Sequence, residues 1–509
     1  MQNVVIDGES LTLKNIVDVA RHSAKVKIAE RSIRKVTQAR EVLEVLAKGK
    51  KPIYGVTTGF GALGNVLISP EDISQLQLNL IRSHSSGVGN PLSTEVTRAL
   101  MLLRANTLAK GFSGVRVRIL ETLVEMLNKG VHPIVPEKGS VGASGDLAPL
   151  SHMVLVMLGE GKAEYDQTVM SGKEAMEKAS IALVQLDMKE GVALNNGTQM
   201  MTAIGALNLH DAEHLVQTAE VAAALSLEAL EGIVDAFDPR IHQVRPHKGQ
   251  TESARNIREL LSRSALVRTS DESVVGNKYP QDPYSLRCIP QVIGCVRDAA
   301  EYVRKIVQVE CNSATDNPLV FAEDGQCLSG GNFHGQPISI AMDHLSIALT
   351  ILGNFSERRI ARLIDDNLSR GLPAFLIPDE SKRGLQSGFM TLQYTAAALA
   401  SENKALAHPA SVDSIPTSAN FEDFVSMGPI AARKTCEILR NTQLIVAIEL
   451  LCAAQGIEFR GPKKLGKGTR LAYLLIREKV APLKDDRVLL DDIESVAELV
   501  RDERFSTLQ

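Results

Sequence analysis

Five segments beyond residue 200 are too long to be strands and contain no proline. They run over about residues 207–234, 291–312, 338–368, 385–406 and 431–455. In the third, Ile338, Met342, Leu345, Leu349 and Leu352 recur at alternating steps of four and three, the spacing of one helix face. Helices of roughly 20 to 30 residues can lie side by side in a bundle ~30 to 45 Å long. With aromatic residues at 4% and no tryptophan, helix formers dominate this region.

The first 200 residues have a different texture. Shorter helical stretches are broken by glycine-rich loops at 55–64, 87–90 and 139–145. Ser69-Pro70-Glu71-Asp72 predicts a helix start, with a cap, a first-turn proline and two acids at the positive dipole end. A boundary near 200 separates an N-terminal domain, 1–200, from a long-helix domain, 201–509.

Composition excludes several classes. The 509 residues are 44% apolar and 23% charged, with net charge −4, so no basic excess points to nucleic acid. No uncharged apolar run reaches the ~18 residues that would mark a membrane span. The N-terminus lacks the basic and apolar regions of a signal peptide. Six cysteines (288, 295, 311, 327, 436 and 452) form no C-x-x-C pair, which suits a reduced, cytoplasmic protein.

Three partial motifs are set aside. Gly59-Phe60-Gly61-Ala62-Leu63-Gly64 fits G-x-G-x-x-G, but no helix opens directly at those glycines to meet a pyrophosphate. His210-Asp211-Ala212-Glu213-His214 fits the zinc pattern H-x-x-E-H and puts two histidines on one helix face. No third ligand is identifiable, so a polar helix surface is the reading and no metal is assigned. Gly142-Ala143-Ser144-Gly145-Asp146 differs from a nucleophile elbow because glycine directly follows the serine.

The last of these segments has a chemistry of its own. If the chain bends tightly at 143–145, the Gly145 nitrogen reaches the Ala143 carbonyl carbon and closes a five-membered ring. Loss of water from the ring and from the Ser144 side chain leaves a methylidene conjugated to a carbonyl, a strong electrophile. Glycine at 145 leaves its nitrogen unhindered, alanine at 143 keeps the carbonyl accessible, and serine supplies the leaving hydroxyl. Asp146 is placed to handle protons or orient the loop. The competing reading is a flexible turn.

Residues 139–150 resemble the signature of the aromatic amino acid ammonia-lyases, and other blocks follow in that family's order. These are Tyr54-Gly55-Val56-Thr57-Thr58-Gly59-Phe60-Gly61, Ser83-His84-Ser85-Ser86-Gly87, Asn196-Gly197-Thr198-Gln199 and Gln281-Asp282-Pro283-Tyr284-Ser285-Leu286-Arg287. Asp316-Asn317-Pro318, Gly331-Asn332-Phe333-His334 and Ser418-Ala419-Asn420-Phe421-Glu422-Asp423 complete the set. The resemblance covers nearly the whole chain. It implies an all-α fold: a long central helical bundle of the fumarase/aspartase-like type, with a loop-rich N-terminal helical domain carrying the electrophile. It also implies 4-methylideneimidazole-5-one made from Ala143, Ser144 and Gly145, no external cofactor, an amino acid substrate, and a homotetramer with sites shared between subunits.

By the same resemblance Tyr284 is the base for the β-hydrogen, a task that needs a phenol pushed below its ordinary pKa of about 10. Arg287 binds the substrate carboxylate, and Tyr54 relays protons. Asn196 contacts carboxylate and electrophile, and Gln281 and Phe333 line the pocket. Ser83-His84 resembles the members acting on histidine, with His84 and Glu422 bonding the imidazole or amine, which implies conversion of L-histidine to trans-urocanate. Those members usually read Asn-Gln-Glu-Asp-His at this point, whereas this chain reads Asn420-Phe421-Glu422-Asp423-Phe424. Another aryl lyase, or a 2,3-aminomutase on the same electrophile, stays open as the alternative; a noncatalytic helical scaffold is the remote one.

Overall fold

All five proline-free segments form helices in the computed structural model, which describes residues 3–49, 51–273 and 281–508. The helices are Gln199–Ala229, Ile289–Glu310, Gln336–Ile364, Met390–Leu406 and Gly428–Arg460. The fourth starts later than its pattern because Gly388 takes a left-handed φ of +55° just before it. At Ser69 the expected start begins as a 3-10 turn, Pro70–Asp72, before the helix Ile73–His84. The Ser69 hydroxyl donates to Asp72 Oδ2 (2.8 Å) and does not cap a backbone N–H.

Strands are confined to short ribbons. Val4–Ile6 runs parallel to Val26–Ile28, and Val88–Pro91 is antiparallel to Pro136–Lys138. His132–Pro133, Lys162–Tyr165 and Thr168–Ser171 form a three-stranded ribbon, and Leu319–Phe321 pairs with Gln326–Leu328. The fold is therefore all-α, as the resemblance implies.

The chain divides into two compact units, each assembled from three stretches. One comprises Met1–Asn208, Arg304–Asp343 and Pro409–Arg433; the other comprises Leu209–Val303, His344–His408 and Lys434–Gln509. A cut near 200 follows the change in sequence texture. The units alternate along the chain, and four helices of 31, 22, 29 and 33 residues cross the boundaries between their stretches.

In the first unit the helix Thr94–Ala109, capped by Ser93, is buried on every side from Thr97 to Ala109. Its Arg104 is fully buried and positions the site. The guanidinium donates to Asn196 O (2.9 Å) and Gln199 Oε1 (2.8 Å), and also to Ala193 O. Gln199 in turn donates to Thr315 Oγ1 (2.7 Å) and Thr107 Oγ1 (3.1 Å). Burial lowers the Arg104 pKa to about 10, with Asp316 opposing, so the charge that holds the 193–199 turn persists at neutral pH.

In the second unit the long helices lie side by side around buried polar contacts. Glu449 accepts from Arg359 Nε (2.5 Å) and Nη2 (2.7 Å), and from the hydroxyls of Ser226 (2.8 Å) and Ser356 (2.6 Å). Both partners of the ion pair are fully buried, so losing either strands a charge at a cost of about 3–5 kcal/mol. Arg297 ties a neighbouring helix to Glu220 at 2.6 Å. Gln336–Ile364 and Gly428–Arg460 are long and apolar enough to cross a membrane, but 67% and 83% of their most apolar stretches are buried within the protein. They are core helices of this fold.

Candidate active site

The Ala143-Ser144-Gly145 triplet lies between the strand Pro136–Lys138 and the helix Leu147–Met157. Two glycines make its path possible. Gly145 adopts φ +75°, and a Cβ there would lie 2.2 Å from the Gly197 carbonyl oxygen. Gly197 has φ +155°, and its Cβ would lie 2.4 Å from Arg104 Nη1. The two strands of chain meet in a parallel bridge, with Asp146 N–H donating to Gly197 O at 2.6 Å.

Asp146 anchors the other side. Its Oδ2 accepts from the N–H groups of Met200 (2.8 Å) and Met201 (2.9 Å), in the first turn of the helix Gln199–Ala229. Full burial pushes its carboxyl from 3.8 up to about 7; the Met201 and Met200 N–H groups and the Ser140 hydroxyl oppose the rise, and the charge of Glu310 adds to it.

Ser144 faces a cavity of ≈ 560 Å³ lined wholly by residues of the first unit. The Ser144 hydroxyl donates to Glu422 Oε1 (2.6 Å), and its carbonyl oxygen accepts from Asn196 Nδ2 (2.7 Å). Asn196 Oδ1 is buried without a hydrogen-bond partner. Glu422 is aimed by a tight turn in which Ser418, Ala419 and Asn420 all take left-handed φ values of 52°, 53° and 65°. Non-glycine residues adopt that region at a cost, and only where surroundings enforce it. Here Thr417 enforces it, exchanging backbone bonds with Glu422 and donating its hydroxyl to Glu422 Oε2 (2.8 Å).

Tyr54 and His84 complete the polar wall. The Tyr54 hydroxyl oxygen accepts the Gly61 N–H at 2.7 Å, leaving its own proton for a partner in the cavity. Burial raises the phenol pKa; the Gly61 bond opposes this and the Glu422 charge adds to it. The glycine loop 59–64 thus holds Tyr54, and Gly61 itself packs against Ser418. His84 ends its helix with Nδ1 3.0 Å from Ser83 Oγ. Burial lowers its pKa, opposed by a hydrogen bond to the Leu80 backbone and by the charge of Glu422.

Of the residues singled out in the sequence, Tyr54, His84, Ala143, Ser144, Asn196, Phe333 and Glu422 line this one cavity. Gly145 lies buried behind it. Gln281, Tyr284 and Arg287 do not line it and belong to the second unit. Tyr284 is 69% exposed, with the Arg287 guanidinium 4.7 Å above its ring, and Arg287 Nε is buried without a partner. Sequence reasoning missed Asn195 and His334, although each adjoins a residue that it did select. His334 stacks on Phe424 (centroids 6.0 Å apart). Phe421 and Phe424 also line the cavity, so its far wall is partly apolar.

Fold and cavity together define an all-α lyase. The chain belongs to the aromatic amino acid lyase family, whose model matches residues 11–478. It is 55% identical to a histidine ammonia-lyase of Caldanaerobacter subterraneus over 505 residues, 99% of this chain and 98% of that one. A histidine ammonia-lyase of Alkaliphilus oremlandii is also 55% identical, over 98% and 97% of the two chains. Among solved structures, a tyrosine aminomutase from Streptomyces globisporus matches with TM-score 0.95 and 40% identity, covering 100% of this chain and 98% of that one. The histidine ammonia-lyase of Trypanosoma cruzi matches with TM-score 0.91 and 41% identity, covering 100% and 95%.

Proposed function

We propose that this ammonia-lyase converts L-histidine to trans-urocanate and ammonia, using 4-methylideneimidazole-5-one formed from Ala143, Ser144 and Gly145. The full-length relatives at 55% identity, which bear the name histidine ammonia-lyase, support the substrate. The observation that carries the reading is the Ser144 hydroxyl held 2.6 Å from Glu422 at the cavity wall, on a turn that admits only glycine at 145.

The residues present fit the group. The Gly145 nitrogen bonds to the Ala143 carbonyl carbon. That carbonyl oxygen leaves as water with the amide hydrogens of Ser144 and Gly145, and the Ser144 hydroxyl leaves as a second water with its Cα hydrogen. Asn196 donates to the Ser144 carbonyl oxygen, the oxygen conjugated to the new methylidene. Once formed, the group supplies an electrophile that activates the amine as a leaving group.

The side chains do the rest. Losing the Ser144 hydroxyl frees Glu422 Oε1 for an amine or imidazole N–H, while Thr417 keeps Oε2 in place. Tyr54 presents its phenolic proton to the cavity. His84, kept neutral by burial, offers a ring nitrogen to the substrate imidazole. Phe333 bounds the cavity. Tyr284 takes the β-hydrogen, and Arg287, with its Nε unpaired, receives the carboxylate. These two and Gln281 reach the cavity from a neighbouring subunit of a cytoplasmic homotetramer. Six free thiols support the reducing compartment.

The test has two arms. Incubation with histidine, tyrosine and phenylalanine, followed by product analysis, is expected to yield urocanate from histidine and little from the others. Peptide mass spectrometry over 139–150 is expected to show the loss of two waters, abolished in Ser144→Ala. An unmodified peptide in fully active enzyme refutes the electrophile. A second reading, an aryl aminomutase, is favoured by Phe421 and Phe424 in the cavity wall and by the likeness to aminomutase structures; a β-amino acid product establishes it.

A further inference from the structure

His210 and His214 stand four residues apart on the helix Gln199–Ala229, so their rings share a face. The folded chain brings a third group to them from the C-terminal segment. Glu503 places Oε1 2.8 Å from His210 Nε2 and Oε2 3.3 Å from His214 Nε2. One ligand atom from each of the three residues lies within 4.8 Å of the others. All three belong to the second unit, whereas the cavity belongs to the first.

The hydrogen bonds set the tautomer. Ser506 Oγ donates its single proton to Glu503 O (2.8 Å), so it accepts from His214 Nδ1 at 3.1 Å. A neutral His214 with its proton on Nδ1 turns the Nε2 lone pair toward a carboxylate oxygen. Two lone pairs facing each other are bridged by either a proton on the ring nitrogen or a metal ion, so the contact can hold a cation. Two imidazole nitrogens and a carboxylate, one ring oriented by a hydroxyl behind it, are the ligand set of borderline divalent metals such as zinc, with an open position for water. The side chains are 18%, 26% and 34% exposed, which leaves an ion a way in.

We propose that His210, His214 and Glu503 form a binding site for one divalent transition-metal ion of the zinc class. The ion clasps the C-terminal segment onto the long helix and takes no part in the cavity chemistry. This stands independently of the substrate assignment.

The test uses the full-length protein stripped with a chelator and titrated with Zn²⁺ by calorimetry, and with Co²⁺ by visible absorption. One saturable Zn²⁺ per chain is expected, with a Co²⁺ spectrum of low coordination number and a rise in the thermal midpoint on adding Zn²⁺. Glu503→Gln keeps hydrogen-bonding capacity while removing the charge. It and His214→Ala are each expected to weaken Zn²⁺ binding by at least about tenfold, the lower end of what losing an outer-shell partner costs. Turnover by the metal-free wild type and by both variants stays unchanged. No saturable binding, or binding undiminished in both variants, overturns the proposal. If His214→Ala fails to fold, Glu503→Gln alone decides it.

Discussion

Replacing Asp146 with asparagine isolates one buried charge. The carboxyl rises from 3.8 to about 7 on folding. Below about pH 3.8 it is protonated in both the folded and unfolded chain, and its burial carries no ionisation cost. Between those values the folded chain holds a proton that the unfolded chain has released, so stability falls as pH rises; above 7 the penalty is constant. The full penalty is about 4 kcal/mol, of which about 2 kcal/mol falls between about pH 5.5 and about pH 8.5. In Asp146→Asn the amide oxygen still accepts the Met200 and Met201 N–H groups, and nothing titrates. Urea unfolding of both proteins at matched concentration, at those two pH values, measures the difference. The variant's stability relative to wild type is expected to improve by about 2 kcal/mol on going from the lower to the higher pH. Glu310 titrates in both proteins and largely cancels. Parallel pH dependence in the two proteins refutes the reasoning, and so does a variant that loses stability relative to wild type as pH rises.

Gly145→Ala places a methyl 2.2 Å from the Gly197 oxygen in a left-handed turn; soluble yield is expected to fall, and any folded fraction is expected to carry an unmodified 139–150 peptide by mass. Tyr284→Phe is expected to lower kcat by ~10²- to 10⁴-fold with KM within a few-fold; steady-state kinetics near wild type would rule the tyrosine out as base. His84→Leu, alone or with Glu422→Gln, is expected to lower kcat/KM for histidine and raise it for phenylalanine. Each buried polar group that phenylalanine leaves unpaired costs about 1–3 kcal/mol, and an unchanged ratio counts against both residues as selectors.

Local pattern made the helices legible, because periodicity reports which face of a segment is apolar. It does not report which segment covers that face, so the assembly of each unit from three separate stretches is invisible in it. The Ala143-Ser144-Gly145 triplet could be read from its residue chemistry either as a flexible turn or as a site of cyclisation, and only the family order of the surrounding blocks favoured the second. The partner of Ser144 was legible only as a block in a family order, since Glu422 is 278 residues away. The third residue beside His210 and His214 left no trace at all. Glu503 is one acid among 60 acidic residues, 293 positions from His210. Ser69 shows the opposite failure, a correct start signal whose hydroxyl went to Asp72 and left the helix to begin a turn later.

The supports of the triplet also bear on when it can react. The turn is held by Gly197, by Glu422, and by Ser426, whose hydroxyl donates to the Gly142 carbonyl across 284 residues. A ribosome that has just made Ser144 has yet to make any of these three. The nascent chain therefore lacks these supports until residue 426 has been made, and chains truncated before residue 422 never assemble the geometry. Under the proposed cyclisation, a reactive methylidene arises only in a polypeptide that is nearly complete and correctly folded. Misfolded or prematurely terminated copies reach the cell's proteases without an electrophile capable of alkylating their neighbours.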